Sequence, residues 1–580
     1  MASYSNIWIL CFMLSVLSNN GFLPLEASHH AYSNLQLIQS ASFANHSYRT
    51  AYHFQPPKNW MNVNAGPMIY KGIYHLFYQY NPKSAVWGNI VWAHSTSTDL
   101  VNWESHPPAI VPSQASDING CWSGSATILP GGKPAILYTG ADFQVKQYQN
   151  LAMPKNLSDP YLIEWVKSPY NPLMSPAQER LNASSFRDPT TAWLGPDRHW
   201  RVLVGNERKH VRGMALLYRS KDFVHWQKAK HPLFSLKNTG MWECPDFYPV
   251  SIRGENGVDT SVLGPGVKFV LKASLDDYKH DYYTIGMYDH QRDSFTPETA
   301  EFLGNGSGLR YDYGKYYASK TFFDSAKNRR VLLGWVNEST GNATIDLLRG
   351  WSGVQAIPRK IWLDASGKQL VQWPVEEIEK LRTNRVGQPS TTLLKAGSVV
   401  EVSGVTAAQA DIEISFGVST VVENAEVLKP GGSTNPQELC SQKGASVNGK
   451  LGPFGLLVLA SKDIQEFTAV FFRIFKDGNK FSVLMCSDQT RSSTQLVYDK
   501  TTYGAFLDID PLKQKLSLRC LIDESIVESF GGGGKVCMTS RVYPSMAIDG
   551  EAHLYAFNNG TQNIWISSLS AWSMNKARIN

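Results

Sequence analysis

Ser97–Trp103, STDLVNW, returns further along the chain as Ser220–Trp226, SKDFVHW. Both copies keep the pattern S-x-D-[LF]-V-x-W, and both follow an apolar, strand-like run. Around them, from about residue 50 to about residue 370, short aromatic or β-branched segments succeed one another: YHLFYQY, IVWAHS, AILYTG, RVLVG, KFVLKAS, YYTIGMY and RVLLGWV. Turn residues separate these segments and no long amphipathic helix intervenes, so this half of the chain reads as all-β. One hairpin-like unit recurring over so long a stretch favours radial repetition, a β-propeller, over a single sandwich.

The pattern changes at Gln372–Val386, QWPVEEIEKLRTNRV, where a proline and a charged run read as a helical linker. Beyond it DIEISFGV, EFTAVFFRIF, KLSLRCLID and HLYAFN alternate in the manner of a β-sandwich. A chain of 580 residues exceeds what one core organises, so two domains are expected. The layout is a leader over 1–27, a propeptide or disordered segment over 28–48, a propeller over 49–371, a linker over 372–390 and a sandwich over 391–580.

Composition narrows the function. Apolar residues make up 43% and charged ones 18%, a globular balance, and the 12% aromatic content leaves rings to line surfaces such as those that hold carbohydrate. The net charge of +6 comes without a Lys/Arg block, which argues against nucleic acid and for weak attachment to an acidic matrix. Ile7–Leu17, IWILCFMLSVL, is too short to span a bilayer and reads as a secretory signal, although no Lys or Arg precedes it. A buried N-terminal helix is the alternative. No later segment is apolar enough to span a membrane. Sequons at Asn45, Asn156, Asn182, Asn305, Asn337, Asn342 and Asn559 agree with a secreted glycoprotein. Cys11 leaves with the leader, and the other six cysteines are too scattered for a metal site. Cys440 and Cys486 can pair in an oxidising compartment, although spacing alone does not fix the connectivity.

Three carboxylates stand out by context: Asp188 in SSFRDPTT, Glu243 in MWECPDFYPV and Asp276 in SLDDYKHDYY. Each follows or ends a strand-like run, which is how a propeller presents acids at the mouth of its channel. Each also has a plainer reading, since an Arg-Asp-Pro turn is most simply an ion pair or an Asx-turn, and a Trp-Glu pair a core edge with a solvated acid.

Taken together, WMN…GP with YHLFYQYNP, WGNIVWAHS, WSGS, FRDP, WECPDFYP and SIVESFGGGGKVCMTSRVYP resemble the plant acid invertases of glycoside hydrolase family 32. Pro245 resembles the cell-wall form. The resemblance implies a five-bladed propeller joined to a sandwich, secretion to the cell wall, no metal or cofactor, and a small sugar such as sucrose or a fructan as partner. It also implies retaining β-fructofuranosidase chemistry, which uses two carboxyl groups about 5 Å apart. Glu243 matches the acid/base, and its place beside Trp242 is expected to help it keep a proton. Asp188 matches the residue that stabilises the transition state. Trp60, Asn62, Gln79, Trp87, Trp122, Ser123 and Arg187 match the sugar pocket, and Asp276 with Lys279 match a pair that favours sucrose, although Tyr278 replaces the usual Thr between them.

At one motif the chain departs from the family. Where the pattern is WMNDPNGP, with Asp as nucleophile, this chain reads WMNVNAGP, so Val63, Asn64 and Ala65 replace Asp-Pro-Asn at unchanged length. Valine cannot attack an anomeric carbon, and no neighbour in the loop can substitute. The chain as written is therefore expected to be inactive. The rivals are a non-catalytic sugar-binding protein, a fructan exohydrolase and a wall structural module. The resemblance implies one further reading: plant invertase genes encode this triplet in a very short exon that gene prediction misses, and since valine codons begin with the GT that opens most introns, VNA reads as translated intron in the triplet's place.

Overall fold

A computed structural model describes residues 48–177, 181–298, 308–388, 391–428 and 435–580, with only the backbone of 63–65 and 388. The expected leader and all of the expected propeptide except Tyr48, together with Asn45 and Asn305, lie outside the described residues; Tyr48 is buried, its hydroxyl donating to the Pro544 carbonyl. From Asn59 to Pro374 the chain forms five four-stranded antiparallel blades, each contiguous in sequence. Blade I runs from its inner strand outward through Asn59–Tyr70, Ile73–Tyr80, Val91–Ser97 and Glu104–Ile110. Blade II begins with Cys121–Leu129, blade IV with Trp242–Ser251 and blade V with Tyr317–Asp324. In blade III the inner strand is split into Phe186–Arg187 and Trp193–Leu194, both paired with Trp200–Arg208. A single parallel bridge, Ala65 to Gly124, joins blades I and II near the axis.

The S-x-D-[LF]-V-x-W repeat is the turn between the two outermost strands of a blade. In blade I the Ser97 hydroxyl accepts the N–H groups of Asp99 and Leu100, and Asp99 Oδ1 accepts those of Val101 and Asn102. Ser220 and Asp222 cap the same turn in blade III. The Leu or Phe between them is buried at positive φ, 63° for Leu100 and 67° for Phe223. Such a backbone is costly for a large side chain, and the capped donors and the burial offset that cost. Blade II uses a degenerate copy with a longer turn, SDPYLIEW, in which Asp159 caps Tyr161 and Ile163 and Leu162 takes the positive φ.

Around the axis, every inner strand is interrupted at a similar place. Register shifts occur between Asn62 and Ala65, between Cys121 and Gly124, between Glu243 and Asp246, and between Tyr317 and Lys320, and blade III breaks outright at Asp188. Asp188, Cys244 and Ala318 all have positive φ. A bulge leaves backbone N–H groups without ladder partners, and buried donors must be satisfied. Carboxylates of neighbouring blades do this. Asp188 accepts the Cys244 N–H, Asp281 accepts those of Ala318 and Ser319, and Asp246 accepts that of Thr321. Beneath them Lys272 pairs with Asp281, both fully buried, and Lys320 donates to the Pro245 carbonyl.

The C-terminal part packs two seven-stranded sheets face to face over an aliphatic and Phe-rich core. The connection is shorter than the expected 372–390 linker. Leu370–Pro374 completes blade V, Glu376–Leu381 is a 3₁₀ turn, and Arg382–Gln388 already pairs with the sandwich strand Ile564–Met574. The charged run reads as a linker in the sequence, but two of its charges are held in place: Glu377 is buried against Arg329, and Arg382 pairs with the buried Asp411, while Glu376, Glu379 and Lys380 stay exposed. Cys440 and Cys486 are disulfide-bonded, and Cys121, Cys244, Cys520 and Cys537 are buried thiols.

At the junction, His53 is fully buried, with Nδ1 2.8 Å from Asp523 and Nε2 3.0 Å from Glu528. Arg359 holds the other oxygen of Glu528. Both ring nitrogens face carboxylates, so the ring is held as a cation; burial alone lowers its pKa, yet the two acids raise it above the ordinary histidine value. A raised folded pKa gives stability that is fully present below the unfolded value, about 6.5, and is lost as pH climbs through the folded one. The His53 contribution is therefore expected to be complete in weak acid and to decline as pH rises above the ordinary histidine value, which a series of denaturation midpoints across that range would show. Replacing His53 by Gln should flatten that fall; an equally steep profile in the variant would contradict the assignment.

Candidate active site

The five inner strands bring most of the singled-out residues to one end of the channel. Arg187 donates through Nε and Nη2 to a single oxygen of Glu243, Oε1, at 3.1 and 2.9 Å. Its Nη2 also lies 3.4 Å from Asp276 Oδ2, and Lys279 pairs with the other Asp276 oxygen. Glu243 Oε2 accepts the hydroxyl of Tyr317, and Lys279 lies over the Tyr317 ring, 5.4 Å from its centroid. Asp188 is buried behind this cluster, its N–H on Thr139 and its Oδ2 on the Cys244 N–H, each at 2.8 Å.

Blades I and II carry most of the other matched residues. Asn62 pairs with Gln79 across the first hairpin, and the Gln79 amide donates to Ser123. Trp60 is buried edge-on against Trp335, whereas Trp87, half exposed, meets Trp122 edge-to-face at 5.5 Å. Gly66, which follows the altered triplet, has φ of 45°, and a Cβ there would lie 2.8 Å from the Ala126 nitrogen, so this close turn is built for glycine. Val63 belongs to the inner strand of blade I, within the register shift between Asn62 and Ala65.

The expected environment of Glu243 needs correcting. Successive residues of a strand point to opposite faces. Trp242 therefore turns away into the blade III–IV core, where its indole donates to Thr239 and fills space left by Gly213, whose Cβ would fall 2.0 Å from the ring. The carboxyl has charged neighbours instead of apolar ones. Burial pushes its pKa up, but Arg187, Lys279 and the Tyr317 hydroxyl outweigh that and hold it below the ordinary glutamate value. Asp188 moves the other way: burial raises it, Arg187 opposes, and the Glu243 charge adds to the rise.

Tyr317, Thr139 and the bulged Cys244 backbone were not singled out in the sequence. Tyr317 lies in YYASKTFFD, an ordinary strand segment, and only the packing of blade V against blade IV brings it to Glu243. Of the sequons, Asn156 and Asn342 are exposed, and Asn342 also caps the helix Ala343–Arg349. Asn337 is half-buried, and the amides of Asn182 and Asn559 donate to Ser185 and to the Ala445 carbonyl. Among the described residues, no cluster of three or more His, Cys, Asp or Glu side chains is placed to hold a metal ion, and no helix is long and apolar enough to cross a membrane.

A five-bladed propeller with a sandwich behind it, and with acids and an arginine gathered at one end of the channel, defines the class of propeller glycoside hydrolases. The chain belongs to glycosyl hydrolase family 32, whose N-terminal domain matches residues 53–374 and whose C-terminal domain matches residues 377–573. It is 60% identical to the insoluble beta-fructofuranosidase isoenzyme CWINV1 of Arabidopsis thaliana, over 100% of this chain and 99% of that protein. It is 56% identical to the fructan 6-exohydrolase of Beta vulgaris, over 100% and 96%. The crystal structure of fructan 1-exohydrolase IIa from Cichorium intybus superposes with a TM-score of 0.89 at 55% identity, covering 92% of this chain and 98% of that one. A variant of that enzyme has been solved in complex with 1-kestose.

The Asp188–Cys244 contact makes a stability prediction. Asp188→Ala leaves a buried N–H unpaired, a loss of about 1–3 kcal/mol. Asp188→Asn keeps an acceptor oxygen and should lose clearly less. Chemical denaturation of the two variants tests this, and equal losses would show that the bulge does not depend on the side-chain acceptor.

Proposed function

We propose that this chain is a secreted, cell-wall member of the family that binds β-fructosides at the propeller mouth and, as written, does not hydrolyse them. The observation that carries the reading is a contrast. The groups that match the family's acid/base, transition-state and sugar contacts converge, while Trp60–Pro67 contains no carboxyl, base or nucleophile. Arg187, Asp188, Gln79 and the Trp87–Trp122 rim are the proposed sugar contacts, with Asp276 and Lys279 on the leaving-group side. The paired Asp276 and Lys279 favour sucrose over fructan as ligand, and the relatives named for cell wall and insoluble isoenzymes support the location. The exposed Asn156 and Asn342 are the best candidates for glycans.

A second reading is an active invertase whose true triplet is Asp-Pro-Asn. It is favoured by the confinement of the change to three residues of an otherwise matching motif.

Without a nucleophile the covalent step is lost, a change that costs about a millionfold in a well-studied protease. Purified protein of the written sequence should release no glucose from sucrose above background, while calorimetry detects weak fructoside binding. Turnover at a rate typical of the family would refute the reading. The triple change Val63→Asp, Asn64→Pro, Ala65→Asn should restore hydrolysis with an acidic optimum. A proline there restricts the residue before it and so helps aim the new carboxylate. That carboxylate raises the Glu243 pKa by like-charge repulsion, giving a bell between the two ionisations. A folded triple variant with no activity would place the defect beyond this loop.

A further inference from the structure

Glu243 has two oxygens in different company. Oε1 receives two N–H groups of Arg187, and a guanidinium can only donate. Oε1 therefore stays an acceptor in either protonation state. Oε2 faces the Tyr317 hydroxyl, which can donate to a carboxylate or accept from a carboxylic acid. We infer that Oε2 is the atom of Glu243 that carries the transferable proton, and that Tyr317 is the positioning residue that holds this oxygen. The inference rests on the acid/base reading of Glu243 proposed above.

The charged groups that face Glu243 come from three blades: Arg187 and Asp188 from blade III, Asp276 and Lys279 beside the carboxyl in blade IV, and Tyr317 from blade V. Cys244, next in the chain, contributes a buried thiol. Of the two groups that donate to the Glu243 carboxyl here, Arg187 and Tyr317, Tyr317 alone can exchange a donated for an accepted hydrogen bond without changing its own charge. Its backbone is set by the register shift before Lys320, where Asp281 captures the Ala318 and Ser319 N–H groups, so the phenol is held by the blade. Lys279, paired with Asp276, rests over the same ring. A leaving sugar that engages Asp276 and Lys279 thus touches the groups that steady the proton-bearing oxygen. In the proton transfer the Oε2–H bond breaks as the glycosidic oxygen takes the proton. The electron pair stays on Oε2, and the Tyr317 hydroxyl turns to donate to the carboxylate that results.

Tyr317→Phe in the chain with the restored triplet tests this. Loss of a donor to the ionised form should move the alkaline limb of the kcat/KM profile to higher pH by about one unit. With the oxygen no longer aligned, kcat should fall by about tenfold while KM for sucrose stays within about twofold. An unmoved limb with kcat intact overturns the inference. If the restored parent is itself inactive, the proposed function fails first, and Tyr317 is then judged in the chain as written. The protonated carboxyl band of Glu243, assigned by its loss in Glu243→Gln, is titrated by infrared difference spectroscopy. Its midpoint should rise in Tyr317→Phe, and an unchanged midpoint overturns the inference as well. A thermal midpoint near that of the parent confirms that the conservative variant folds.

Discussion

The hydrogen bond from the Cys244 backbone to Asp188 is the contact on which the site depends. A propeller crowds the inner strands of its blades round one axis, and a regular strand there would point alternate side chains into its neighbours. The bulge after Glu243 breaks the regular pairing next to the acid, and it leaves a buried N–H that water cannot reach. Asp188, itself at positive φ, supplies the missing acceptor from the next blade. The geometry of one carboxyl and the orientation of the other are thus one problem with one solution. Asp281 and Asp246 repeat it for blade V.

Electrostatics follow from that arrangement. Two carboxyl groups brought to one buried place repel, and Arg187 relieves the repulsion by pairing with Glu243, so that Glu243 is held ionised while Asp188 is pushed upward. A third carboxylate, as the family pattern has in the first blade, would press Glu243 toward its acid form. The written chain lacks that pressure. Glu243 is accordingly held as a carboxylate that accepts from Arg187 and Tyr317.

Much of this was legible in the sequence, and the limits have physical causes. Strand runs such as YHLFYQY and RVLLGWV appear where their apolar patterns placed them, and the S-x-D-[LF]-V-x-W repeat proves to be a capped turn used in separate blades. The degenerate copy at Ser158–Trp165 does not match the pattern because its longer turn shifts the spacing. The linker is shorter than its charged run suggests because Glu377 and Arg382 find partners elsewhere in the chain, Arg329 and Asp411, which a local pattern does not reveal. Glu243 and Trp242 are neighbours in sequence but not in space, because successive side chains of a strand point to opposite faces. Tyr317 and Thr139 could not be found at all, since each acts on a residue of another blade and no local pattern marks it.

The contiguity of each blade has a consequence for how such a protein changes over time. The groups at the mouth come from separate stretches of chain, and those whose contacts are described are anchored chiefly to the neighbouring blade: Asp188 to Cys244, Arg187 and Tyr317 to Glu243, Gln79 to Ser123. The backbone of Ala65 pairs with Phe77 and bridges Gly124, so the segment 63–65 is itself part of the seam between blades I and II. Because each wall of the mouth is encoded by its own contiguous stretch, changes can accumulate in one wall while the seams between the other blades are inherited unaltered.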